Sequence, residues 1–170
     1  MNILQLLRRC EAIEVAAANL YGQLARRFAK DGELARFFSQ LASDERGHAQ
    51  KLATWRRFLK HRDPSRHPFA TGFDESVGEL EGLVGSLRKR ARAASSVEEA
   101  LRIALELESS ELDTIYSTVL QSSPLARFPD LQETRKVEIG AHHEKLLRMV
   151  RARCRSEDNL LAAAILGAEE

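Results

Sequence analysis

Leu41, Glu45, His48, Leu52, Trp55 and Leu59 follow one another at steps of 4, 3, 4, 3 and 4. Residues three and four apart share one face of an α-helix, and an apolar stripe at that spacing is the face a helix buries. A carboxylate and an imidazole therefore sit in the middle of a buried surface, where an unpaired charge loses roughly several kcal/mol of solvation. Something must compensate them. A divalent iron or manganese ion does so, because carboxylate oxygen and imidazole nitrogen both suit such metals. Glu14, thirty-one residues before Glu45, lies in a second helical stretch among Cys10, Ala17 and Tyr21. The pattern points to a metal site inside a bundle of helices.

Ala, Leu, Glu and Arg dominate the 170 residues and β-branched residues are sparse, so the chain reads as all-α. Its length suits one domain with a sizeable core. Lys plus Arg number 26 against 25 for Asp plus Glu, which gives no electrostatic reason to expect nucleic acid or an anionic membrane as a partner. The run Arg88-Lys89-Arg90 with Arg92 falls at the end of a predicted helix, where cations complement the helix dipole and stay solvated. The longest apolar run, Leu160 to Leu166, has seven residues, well short of the ~18 of a membrane span. The opening MNILQLLRRC places its arginines after its apolar residues and does not read as a secretory signal, so a cytoplasmic location is expected. Cys10 and Cys154 form no CxxC pair, which excludes a cysteine-ligated metal ribbon within this chain.

Periodicity predicts a first helix from Asn2 to Lys30, with Ile3, Leu7, Cys10, Glu14, Ala17, Tyr21 and Leu24 on one face. Asp31-Gly32 is the expected turn, tight enough to make the second helix, Glu33 to Arg62, an antiparallel neighbour. Asp63-Pro64, His67-Pro68 and Gly72 then break the pattern. Val77, Leu80, Leu83, Val84 and Leu87 mark a short helix inside a long crossover. Ser96-Val-Glu-Glu99 is a capping box that opens a third bundle helix reaching Gln121. Pro124 and Pro129 separate it from a fourth, Pro129 to Arg155. Residues 156–170 are a tail with a short apolar helix, expected to pack on its own bundle. Glutamate and tyrosine recur on the first and third helices, histidine on the second and fourth, a weak repeat of helical hairpins.

Each bundle helix offers candidate ligands: Glu14 on the first, Glu45 and His48 on the second, Glu108 and Glu111 on the third, Glu138 with His142 and His143 on the fourth. Carboxylates clustered in a core repel unless a cation or shared protons neutralise them, and two carboxylate-bridged divalent ions do so. Glu14 with Tyr21, the segment LASDERGHAQKL, the pair Glu108 and Glu111 with Tyr116, and HHEKLL from His142 make residues 1–155 resemble the rubrerythrin family's ferritin-like domain, here without a rubredoxin module. The resemblance implies a ferritin-like four-helix bundle, up-down-down-up with the long crossover. It also implies two iron ions, with manganese or a mixed pair as the alternative, that react with hydrogen peroxide. In that reading Glu45 bridges the metals, and Glu14 and His48 are terminal ligands. Glu108 and Glu111 bind one iron in a redox-dependent way, and His143 binds from the fourth helix. Tyr21 and Tyr116 would hydrogen-bond ligand carboxylates and line the site. The electrons would come from an external donor protein carrying iron–sulfur or flavin, and a homodimer is expected.

The fourth helix departs from the family pattern. His143, Leu147, Val150 and Cys154 step as His48, Leu52, Trp55 and Leu59 do, which aligns His143 with the family's ligand histidine. Three residues earlier, where the family has a ligand glutamate, stands Gly140. Glu138 with His142 is the alternative pair, and a π-bulge is another way to turn Glu138 inward. Blander readings stand beside these. Glu11, His61 and His67 read as surface residues, Trp55 as core, and Cys10 as a buried structural thiol. His142 reads equally as a hydrogen-bonding or an exposed group, and both tyrosines equally as core aromatics. Three functions follow: peroxide reduction, iron binding with oxygen-driven ferroxidase activity, and an interaction protein whose metal site has degenerated.

Overall fold

Asn2 opens the first helix with a complete capping box: its side chain accepts from the Gln5 N–H at 2.9 Å, and the Gln5 side chain accepts from the Asn2 N–H at 2.9 Å. A computed structural model describes residues 2–60, 73–111 and 143–166. Among the described residues there are six helices and no strand. They are α1 (Ile3–Arg27), α2 (Gly32–Lys60), α3 (Phe73–Ala93), α4 (Val97–Glu111), α5 (143–153) and α6 (Glu157–Leu166). The expectations that rest on His61, His67, Tyr116, Pro124, Pro129, Glu138, Gly140 and His142 lie outside the described residues.

The turn between α1 and α2 falls slightly earlier than the Asp31-Gly32 pair suggests. α1 ends at Arg27, and Gly32 is already helical. The cause is Asp31, whose side chain accepts from the Leu34 N–H at 3.1 Å and so caps α2, leaving Gly32 as its first residue. The helices then run antiparallel: Arg56 reaches Glu11 at 2.9 Å, while further along α1 Tyr21 stacks on Phe38 with ring centroids 6.3 Å apart.

α3 has 21 residues and is longer than the Val77–Leu87 pattern alone marks. It lies parallel to α1. Arg9 near the start of α1 holds Asp74 and Glu81 at 2.9 Å each, and Arg27 at its end donates to the carbonyls of Ala93 and Ala94. The same Arg9 contact holds the Glu81 carboxyl below its usual range. After a short connection α4 returns antiparallel, with Arg90 bonded to Glu106. Ser96 caps α4 by accepting from the Glu99 N–H at 3.1 Å, but Glu99 reaches back to the Ser95 N–H at 2.9 Å rather than to Ser96, a capping box shifted by one residue.

α5 is antiparallel to α2, since Lys145 meets Asp44 at 3.4 Å and Arg153 meets Asp31 and Glu33 at the opposite end. α1 and α5 thus run up, α2 and α4 down, which is the ferritin-like up-down-down-up bundle, with α3 in the crossover. Its core joins Leu6, Leu20, Leu24, Leu34, Leu41, Leu52, Leu101, Leu146 and Val150. Helix propensity alone would not hold segments of this length, so burial of these faces supplies most of the stability.

α6 packs on α4 through Asn159, Ala163 and Leu166. Asn159 is the buried polar hinge of this contact: its amide donates to the Glu98 carbonyl at 3.0 Å and its oxygen accepts from Arg102 at 2.9 Å. It also donates to Cys154 Sγ at 3.6 Å, although burial pushes the Cys154 thiol up. Glu98 closes the network by accepting from the N–H groups of Arg155 and Ser156 at 2.8 and 3.1 Å.

Replacing Asn159 by Ala leaves a buried carbonyl and a guanidinium without their partner, and should cost about 1–3 kcal/mol in urea denaturation. Wild-type stability would contradict the assigned role. A second outcome concerns pH. Arg153, followed by the Leu34 N–H, lowers the Asp31 carboxyl below its ordinary 3.8. Stability from a depressed carboxylate is present above the unfolded value and is lost as pH falls through the folded value. Arg153→Gln should therefore weaken the protein at pH 7, and its deficit should close as pH falls below the ordinary Asp value. A deficit that stays constant with pH would refute the pairing.

Candidate metal centre

The stripe on α2 is buried as its spacing requires: Leu41, Glu45, Leu52 and Leu59 are inaccessible and Trp55 packs partly buried against the core. Glu45 is 1% exposed. Across the α1–α2 seam Glu14 is 2% exposed, held there because Cys10, Ala17 and Tyr21 occupy the same inward face of α1. His48, one turn beyond Glu45, keeps a 12% exposed side chain and is the solvent-facing edge of the group. Its Nδ1 lies 3.0 Å from Glu45 Oε2 and 3.8 Å from Glu14 Oε2.

One oxygen from each carboxylate and one ring nitrogen lie within 4.8 Å of one another. The donor set fits a divalent metal of the iron or manganese kind. The His48 separations of 3.0 and 3.8 Å from the two carboxylates fit too: with metal–ligand bonds of ~2.1 Å, two ligands on one ion sit between roughly 3.0 Å apart at right angles and roughly 4.2 Å when opposed. His48 Nδ1 and Glu45 Oε2 lie at contact distance, and metal binding to such a pair requires the imidazole nitrogen and the carboxylate to be deprotonated. Two carboxylates this close in a dry core also repel each other, so a cation between them removes both the repulsion and the solvation deficit.

α4 contributes Glu108, 5% exposed, whose Oε1 accepts a 2.6 Å hydrogen bond from the Tyr21 hydroxyl. This short bond to a carboxylate satisfies the buried phenol and fixes the carboxylate's orientation. Phe38, a residue not singled out by the ligand spacing, stacks on Tyr21 and holds the ring; its place on the run Leu34, Phe38, Leu41 marks it as inward-facing. His143 on α5 is 2% exposed. The side chain of Glu111 lies outside the described residues, as do Tyr116, Glu138 and His142. The described structure therefore gathers Glu14, Glu45 and His48 into one group, pairs Glu108 with Tyr21, and buries His143.

Glu11 pairs with Arg56 at the rim of the α1–α2 seam, and Cys10 and Cys154 are buried thiols without a disulfide. Among the described residues no helix is long and apolar enough to cross a membrane.

The family model for rubrerythrin matches residues 5–116, which is 112 of the 170 residues. That span contains Glu14, Tyr21, Glu45, His48, Glu108, Glu111 and Tyr116, and ends before Glu138, His142 and His143. No curated protein and no solved structure matches the chain. With a match over most of its length, an all-helical bundle and a buried Glu–Glu–His group between its first two helices, the chain belongs to the rubrerythrin family.

Proposed function

We propose that this chain is a non-haem di-iron oxidoreductase that reduces hydrogen peroxide with electrons from an external donor. The observation that carries the reading is the Glu14–Glu45–His48 group, buried on the segment that matches the family. Glu14, Glu45 and His48 would hold one iron, Glu108, Glu111 and His143 would hold the other, and the Glu45 carboxylate would be shared between them. Manganese or a mixed pair would fit the same donors. Bound there, two ferrous ions supply the two electrons that peroxide reduction takes.

The residues of the chain do the rest. Tyr21 donates to Glu108 and keeps that carboxylate aimed at one position, ready to hold a metal. The apolar surround of Leu41, Leu52 and Leu101 excludes bulk water and confines protons to the ligand side chains and the tyrosine hydroxyl. His48, as the edge nearest solvent, is where a small oxidant would enter. Because Gly140 stands where the family has a glutamate, the second metal position relies on Glu138 or on the α4 carboxylates for its charge.

Anaerobic ferrous titration should saturate at about two ions per chain, and Glu45→Ala should lose both the stoichiometry and the absorbance change on adding peroxide. Unchanged stoichiometry in the variant would overturn the site assignment. Faster oxidation of the loaded protein by oxygen than by peroxide would instead favour ferroxidase activity. Binding of well under one ion per chain by the wild type would leave a bundle that serves as an interaction protein.

A further inference from the structure

Several surface arginines are answered by carboxylates: Arg9 by Asp74 and Glu81, Arg56 by Glu11, Arg90 by Glu106, Arg153 by Asp31 and Glu33. Arg26 and Arg46 have no such partner among the described residues, yet their guanidinium groups converge. A Cβ placed on Gly22 would lie 3.6 Å from Arg26 Nη1 and 3.9 Å from Arg46 Nη2, so the two nitrogens are at most the sum of these, 7.5 Å, apart. Like charges at that separation repel. A single carboxylate, with charge-assisted bonds of ~2.8 Å to each, bridges the gap and reverses the sign of the interaction.

The surroundings suit a visiting protein. Gly22 sits in the interior of α1, where Gly is roughly 1 kcal/mol poorer than Ala, and it leaves a low floor beneath the two arginines. Val15, 45% exposed, precedes Gly22 by two helical turns and shares the face of Gly22 and Arg26. An exposed apolar residue on the same helix face as a pair of converging cations has the anatomy of a docking patch. Its position is also informative. Val15 follows Glu14 and Arg46 follows Glu45, so the patch lies on the two helices that carry the Glu14–Glu45–His48 group.

We propose that this face of α1 and α2 docks an acidic one-electron carrier protein that re-reduces the centre, an inference that rests on the redox reading above. Arg26 and Arg46 receive its carboxylates and Val15 its apolar contact. Each peroxide takes up two electrons and two protons to give two waters. Two reduced carriers therefore dock in turn, and each leaves oxidised by one electron. So small a charged patch gives a weak, fast, salt-sensitive encounter, as turnover requires.

The test titrates reduced flavodoxin, an acidic carrier, into the full chain with and without iron at low ionic strength. The wild type should bind in both forms, and Arg26→Glu/Arg46→Glu should weaken binding by about tenfold or more. Lys89→Glu/Arg92→Glu makes the same charge change on the exposed face of α3 and should leave binding unaltered. The difference should vanish at about 0.5 M salt. The milder Arg26→Gln/Arg46→Gln should fall between, which guards against misfolding of the reversed form. In the iron-loaded protein, reduction by flavodoxin should slow in parallel while reduction by dithionite does not. No binding by the wild type, or equal losses in both charge-reversed variants, overturns the proposal. Arg26- and Arg46-dependent binding in a chain that takes up no iron keeps the docking face and removes only the redox reading.

Discussion

Two carboxylates and an imidazole, enclosed between the first two helices, set the terms for the rest of the molecule. Glu14 and Glu45 are nearly inaccessible, and His48 Nδ1 lies within 4 Å of both. Burying this much charge costs solvation that a bound cation and the surrounding apolar packing must offset. Much of the architecture reads as a way of keeping α1 and α2 in register. Asp31 caps α2 and is clamped by Arg153 of α5, Glu11 and Arg56 close the rim of the seam, and Tyr21 and Phe38 stack within it.

The fourth and fifth helices, α4 and α5, extend that register into a site. Tyr21 ties α1 to α4 through Glu108, so a carboxylate from the third bundle helix is oriented by a residue two turns from Glu14. α3, threaded parallel to α1, is fastened at both ends by Arg9 and Arg27, and delivers the chain to the start of α4. α5 brings His143 into the core and meets α2 at both ends through Lys145 and Arg153. α6 then locks the base of α4 through Asn159.

The ligand helices were legible because a charged residue on an apolar stripe is a conflict that spacing alone exposes. Glu14, Glu45 and Glu108 each sit on such a stripe and are buried, and His48 sits on one at its part-exposed edge. The bundle direction was legible from the tight α1–α2 turn and the Pro- and Gly-rich crossover. Contacts set by long side chains were not. The shift of the turn follows from Asp31 capping α2, which a glycine beside an aspartate does not announce. The full length of α3 rests on Arg9 and Arg27, whose partners lie 65 or more residues away. The convergence of Arg26 and Arg46 over Gly22 depends on how two flexible side chains lie along a helix, and periodicity carries no information about that.

The proposed chemistry turns on whether the Glu14–Glu45–His48 group holds a metal or is a neutralised cluster of acids. The most direct test is anomalous diffraction at the iron edge from crystals of the anaerobically loaded protein. A peak is expected between α1 and α2 at bonding distance, ~2.1 Å, from Glu14, Glu45 and His48 Nδ1, with a neighbour on the other side of Glu45. Iron found only at the surface, with Glu45 still bonded to His48 in an iron-free core, would contradict it.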